Sequence, residues 1–213
     1  MIIIKYDPRN VNRIVKKIVE ILKKGGVAII PTDTCYGIIA DATNEEAVKR
    51  VFDIKKRPYD NPVSIFLSSK KDVYKYAEVN ELGEKFLNLL PARLTLIFKA
   101  KAKLPEPMIV KNGKIGIRVI KHVLPTLITK VLRKPITATS ANIHGQPPCY
   151  ASSELMNLNV DLIVDAGELP RIPVSTVIDV TTVPPTILRE GAISAEEIEK
   201  RLQIKLRKVH KSM

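Results

Sequence analysis

The chain has 213 residues, enough for one large domain or at most two small ones around a sizeable buried core. Hydrophobic residues make up 45% and charged residues 27%, and no apolar run approaches the roughly 18 residues of a membrane-spanning helix, which excludes a helical membrane protein. Lys and Arg number 35 against 22 Asp and Glu, a net charge of +13 that asks for an anionic partner, nucleotide or RNA, unless it is only the Lys-rich surface of a heat-adapted protein.

Residues 1–6 predict a first strand, too short and too soon charged for a secretory signal. From Asp7 to Lys24, Val11, Ile14, Val15, Ile18, Ile21 and Leu22 fall at helical spacing, and Gly25 suits the C-cap. The apolar strand 27–31 runs into Pro31-Thr32-Asp33-Thr34-Cys35-Tyr36-Gly37, a loop rich in hydrogen-bonding oxygens and poor in apolar area, as at a ligand. Thr43-Asn44-Glu45-Glu46 reads as a capping box opening a second helix with Ala47, Val48, Val51 and Phe52 on its buried face. That helix must stop near Pro58 and so presents Lys55, Lys56 and Arg57 at its C-terminal end.

Strand 62–69 follows, then one helical stretch over 72–90, strand 94–99, a Pro-rich loop at 105–107 and strand 116–120. A helix over 124–132 leads to strand 136–139, which runs directly into Ser140-Ala141-Asn142. Strands 161–164 and 176–180 come next, Ile187-Leu188 forms a short last one, and Ser194 with Glu197 caps a final helix. Strands and helices interleave, which predicts a single α/β domain over 1–213 around one twisted, mixed sheet flanked by helices. Pro105 to Asn112 is the best candidate for a boundary within it, and a weak one, and 200–213 is a basic tail read as a solvated face or frayed end.

Cys35 and Cys149 form no disulfide framework or zinc spacing, so a reducing cytoplasm is the default compartment. His122, His144 and His210 are scattered, and no metal site built from side chains alone is expected. Polar residues instead cluster at element ends: Thr32 to Gly37, Lys55 to Pro62, Ser140 to Gly145, and Ser175-Thr176 with Arg189. Strand ends of an α/β sheet converge, and this inventory of cations, hydroxyls and one carboxamide lacks the pairs of an activated nucleophile. It suits a polyphosphate and the charge that develops in nucleotidyl transfer. No Walker or Gly-x-Gly-x-x-Gly loop occurs, so Lys and Arg must serve as the phosphate clamp.

Pro-Thr-Asp-Thr-Cys-Tyr-Gly, Lys-Lys-Arg-Pro-Tyr-Asp-Asn-Pro, Ser-Ala-Asn-Ile-His-Gly, Ser-Thr-Val-Ile-Asp and Ile-Leu-Arg-Glu-Gly, in this order over about residues 10 to 200, resemble the YrdC family of threonylcarbamoyl-adenylate synthases. The resemblance implies a YrdC-like fold with a basic concave face and the conversion of L-threonine, bicarbonate and ATP into threonylcarbamoyl-adenylate and pyrophosphate. The product would pass to a separate transferase complex that modifies tRNA. On this pattern Lys55, Arg57, Ser140 and Asn142 hold the triphosphate and its Mg²⁺, with Arg189 near the nucleotide. Thr32, Arg118 and Ser175 match threonine-binding positions, and Tyr36 walls that pocket.

In isolation Lys55 and Arg57 read first as a solvated helix end and Ser140 and Asn142 as readily as a turn or cap, while an internal ion pair is the alternative for Arg118. Relatives carry Trp-Pro-Gly-Pro where this chain has Leu90-Pro91-Ala92-Arg93, so the Pro91–Arg93 loop is expected to differ. Two other readings compete. One is a YrdC-like domain of a hydrogenase-maturation carbamoyltransferase, whose further modules are absent from this sequence. The other is a basic RNA-binding protein, for double-stranded RNA, tRNA or rRNA, on the same scaffold.

Overall fold

A computed structural model describes residues 1–209. His210 and Lys211, part of the histidine set and basic tail above, lie outside the described residues. In chain order the elements are β1 (Ile2–Lys5), α1 (Val11–Lys23), β2 (Ala28–Pro31), β3 (Tyr36–Ile39), α2 (Glu45–Lys55), β4 (Ser64–Phe66), α3 (Lys70–Tyr76), β5 (Ala77–Glu78), α4 (Glu81–Leu87), β6 (Leu94–Ala100), β7 (Val110–Lys111), β8 (Lys114–Arg118), α5 (Val123–Leu132), β9 (Ile136–Ser140), β10 (Leu162–Asp165), β11 (Thr176–Asp179), β12 (Thr186–Arg189), α6 (Ala195–Leu202) and β13 (Arg207–Lys208). The strands form one sheet in the order β1-β10-β2-β3-β9-β4-β8-β6-β11-β12-β13, with β5 beside β6 and β7 beside β8. Its direction is mixed: β1, β10 and β2 are parallel, β3 is antiparallel to both neighbours, and β6 is parallel to β11.

Side chains alternate across a strand, so the helix positions decide what each half of the sheet can bury. In the first half both faces are covered. Ala28 and Ile30 of β2 pack with Ile14, Ile18 and Leu22 of α1 and with Leu124 and Ile128 of α5, whereas Ile29 packs with Ala47 and Val51 of α2. In the second half helices cover one face: Leu94, Leu96 and Phe98 of β6, Ile117 of β8 and Ile178 of β11 meet Phe86 and Leu87 of α4 and Ile198 of α6. Each such side chain contributes about 1.5–3 kcal/mol through burial. The alternate positions, Thr95 and Ile97 of β6, Gly116 and Arg118 of β8, and Val177 of β11 with Ser175 just before it, line an open cleft instead.

Several sequence expectations need correction. The helical stretch over 72–90 is two helices separated by β5, whose Ala77 and Glu78 pair with Ala100 and Lys99 at the end of β6. Tyr36 and Gly37 belong to β3, so the loop after β2 is only residues 32–35. The cap of α2 is Asn44, whose side chain accepts from Ala47 N, while the Thr43 hydroxyl donates to Asp41 instead of to the helix. Ser194 does cap α6, accepting from Glu197 N. No helix among the described residues is long and apolar enough to cross a membrane.

Candidate active site

The cleft, about 520 Å³, gathers segments that lie far apart in sequence: the turn after β2, the loop after α2, and the strands β4, β6, β8, β9, β11 and β12. Of the nine expected site residues, Arg57, Arg118, Ser140, Ser175 and Arg189 line it. Thr34, Lys111 and Lys114 line it too, though the sequence did not single them out as site residues. The period of β8 carried a signal for Lys114, which shares a face with Gly116 and Arg118.

Lys55 is the last residue of α2. Lys56 adopts a left-handed conformation (φ 49°) at the C-cap, and Arg57 N donates to Phe52 O, which turns the chain sharply before Pro58. The turn buries Lys55 to 1% exposure, where a solvated cation would have been the simplest expectation. Its ammonium donates to Ser140 O (2.5 Å), Asn142 O (2.9 Å) and Asn142 Oδ1 (2.9 Å), which uses all three of its hydrogens. Burial, and then the neighbouring Arg57, lower its pKa to about 8. The Asn142 side chain is engaged at both ends: Oδ1 also accepts from Ser140 Oγ at 2.6 Å, and Nδ2 donates to Gln146 O at 2.5 Å. Lys55 and Asn142 therefore stand behind the cleft wall and shape the segment that carries Ser140.

Arg57 faces the cleft with its Nε and Nη2 held by Asn61 O, Asn61 Oδ1 and Pro62 O. Arg189 donates through Nε and Nη2 to Ser175 O, and through Nη2 to Ser175 Oγ at 3.2 Å. The Ser175 hydroxyl also meets Thr95 Oγ1 at 2.8 Å. Gly191 makes this corner possible, because a Cβ there would lie 2.1 Å from Val174 O.

Arg118 donates through Nη2 to Asp33 Oδ1 at 2.9 Å, with both side chains 9% exposed, and its guanidinium lies over the Phe66 ring at 5.0 Å. The internal ion pair is thus present at the cleft wall. Its Nε is buried without any hydrogen-bond partner.

The Thr32 hydroxyl is spent inside the turn, donating to Cys35 O at 2.7 Å and accepting from Thr34 N, and Thr34 is the turn's threonine that lines the cleft. Tyr36 does not wall the cleft. The alternation of β3 sends its ring, with Ile38, into the core under α2, where its hydroxyl donates to Gly167 O and accepts from Ala166 N.

Burial pushes the pKa of Arg57, Arg118 and Arg189 down; Arg189 adds to the effect on Arg57 and Arg118 to that on Arg189, whereas Asp33 opposes it at Arg118. Lys55, Arg57, Arg189 and Arg118 thus form a row of mutually repelling cations. Asp33 is the carboxylate paired with any of them among the described residues. Such a row lowers its energy by taking up a multiply charged anion. Among the described residues no group of three or more His, Cys, Asp or Glu is placed to hold a metal.

A family profile described as Telomere recombination and named for Sua5, YciO and YrdC matches residues 20–191. A Methanocaldococcus jannaschii protein, provisionally named a threonylcarbamoyl-AMP synthase, is 37% identical over 86% of this chain and 90% of its own length. A threonylcarbamoyl-AMP synthase of Pyrococcus abyssi is 36% identical over 84% of this chain, which spans only 54% of that protein. Among solved structures, P. abyssi Sua5 in complex with L-threonine superposes with a TM-score of 0.87 at 30% identity, covering 97% of this chain and 62% of its own. Escherichia coli YciO gives a TM-score of 0.81 at 25% identity, covering 92% and 98%.

Proposed function

The chain belongs to the Sua5/YciO/YrdC family, and from that premise we propose that it is a threonylcarbamoyl-AMP synthase acting on L-threonine, bicarbonate and ATP. The observation that carries this reading is the set of guanidinium groups of Arg57, Arg118 and Arg189 lining one cleft, backed by the buried Lys55, with Asp33 as the single carboxylate paired with them among the described residues. The triphosphate lies against Arg57 and Arg189, with the Ser140 and Ser175 hydroxyls beside it. Arg118, turned by Asp33, serves the amino-acid end, together with Thr34.

The threonine amine adds to bicarbonate with loss of water. The new carboxylate then attacks the α-phosphorus, and the bond to pyrophosphate breaks. Charge builds on the pentavalent phosphorus and on the leaving pyrophosphate, where fixed guanidinium donors lower the barrier without reorganising. Lys55 and Asn142 act from behind, fixing the 140–142 segment. The residues do not make a resident Mg²⁺ site, because the carboxylates of Asp33 and Asp179 are engaged by Arg118 and Lys114. No step above depends on the protein holding one. The product is a mixed anhydride suited to acyl transfer by a separate enzyme acting on tRNA.

The test is pyrophosphate release from ATP with each co-substrate omitted in turn, beside Arg57→Ala. Release that requires both L-threonine and bicarbonate, and is lost in the variant, establishes the reading. Release indifferent to threonine overturns it.

A further inference from the structure

The loop where this chain has Pro91-Ala92-Arg93 joins three separate walls of the cleft. Ala92 N donates to Val119 O at 3.2 Å, next to Arg118. Thr176 N donates to Arg93 O at 3.1 Å, next to Ser175. The Arg93 side chain crosses to the opposite wall, and its Nε donates to Asp33 O at 3.0 Å. Two consecutive residues thereby tie the ends of β8 and β11 to the turn after β2.

The last of these contacts bears on a specific group. Asp33 turns Arg118 toward the cleft by accepting from its Nη2, and the position of that carboxylate depends on the backbone that carries it. Within the turn the bonds that hold residues 32–35 run from Thr32 N and Oγ1 to Cys35 O, from Thr34 N to Thr32 Oγ1, between the Thr32 and Thr34 hydroxyls, and from Thr34 Oγ1 to Cys35 Sγ. Neither end of that set grips Asp33. Arg93 does, from outside the turn.

We propose that Arg93 is a positioning residue: its guanidinium fixes the Asp33 peptide, and through the Asp33 carboxylate it sets the orientation of Arg118 for the amino-acid substrate. This rests on the synthase reading above, in which Arg118 serves the threonine end. Arg93 is exposed and its loop is held by main-chain bonds, so removal of its side chain leaves the fold intact. Among the described residues the Arg93 side chain makes its hydrogen bond to Asp33 O and none to Arg57, Arg189 or Ser175 at the nucleotide end.

Calorimetric titration of the full chain with L-threonine and, separately, with ATP tests the assignment. Arg93→Ala is expected to weaken L-threonine binding about tenfold, the scale of one lost hydrogen bond to a positioned group. Its ATP affinity stays within about twofold, and Arg93→Lys, which retains a donor, recovers most of the loss. Equal weakening toward both ligands, unchanged threonine affinity in Arg93→Ala, or no recovery in Arg93→Lys overturns the proposal. Wild-type chain that binds no L-threonine at all overturns it together with the synthase reading. Threonine binding that Arg93→Ala leaves untouched overturns the proposal alone.

Discussion

At the scale of single residues, a buried ammonium with no carboxylate beside it is the least ordinary group in the molecule. Lys55 survives burial because two carbonyls and one amide oxygen surround it. Lys55→Met leaves three buried acceptors without their donor, each costing about 1–3 kcal/mol. The expected result is a lower denaturation midpoint together with loss of pyrophosphate release. With a pKa near 8, Lys55 loses its third hydrogen as pH rises through that value, and kcat is expected to fall with it in the wild type. Stability moves the other way. The unfolded chain holds the proton between about pH 8 and the ordinary lysine value, so this group adds stability as pH rises across that window. Denaturation curves of wild type minus Lys55→Met, at the two ends of the window, isolate that contribution. Tyr36→Phe is the converse case. It removes bonds to Gly167 O and Ala166 N in the core and is expected to cost about 1–3 kcal/mol in denaturant while both KM values stay put.

At the scale of elements, the cleft exists because strands β6, β8 and β11 present one face to helices and leave the other open. Close backbone approach at its corner makes Gly191→Ala a sensitive probe. The added Cβ must displace the Val174–Ser175 backbone, costing about 1–3 kcal/mol and shifting both acceptors of Arg189. ATP affinity, measured by calorimetry, is expected to drop before threonine affinity does.

Much of this scale was legible from residues alone. Polar clusters at strand and helix ends marked the right walls, and five of the nine expected residues line the cleft. The rest was hidden for definite reasons. Tyr36 was misplaced because β3 takes in the last two residues of the motif, Tyr36 and Gly37, and its period then sends the ring to the core. Thr32 and Asn142 are polar in the right place, but their side chains are consumed by neighbours that only the fold reveals. The break between α3 and α4 was overrun because Val73, Tyr76 and Ala77 keep helical spacing and pairing with β6 pulls Ala77 out, while the local start signal of α4, the N-cap Asn80, went unread.

At the scale of the whole molecule, part of the surplus of positive charge lines the cleft where an anion would enter. Arg57, Lys111, Lys114, Arg118 and Arg189 all line one cleft, against one lining carboxylate, Asp179. Raising salt from 0.1 M to 1 M shortens the screening length from about 10 Å to about 3 Å. KM for ATP is expected to climb several-fold over that range while KM for the zwitterionic amino acid changes little, and steady-state kinetics at the two salt levels checks it.

The strand order also fixes when the molecule can come into being. β1 pairs with β10, so Ile2 waits for Leu162, and β10 in turn lies between β1 and β2. β11, which carries the floor of the cleft, docks beside β6 some eighty residues upstream, with Thr176 opposite Leu94. During synthesis the amino-terminal half is therefore held as an incomplete sheet with open edges until β10 and β11 have left the ribosome. Arg189 and its Ser175 acceptors come after the other walls of the cleft. A nascent chain cannot assemble the whole anion cleft before β12 has emerged, and the unpaired edges of β2 and β6 are its points of exposure to chaperones in the interval.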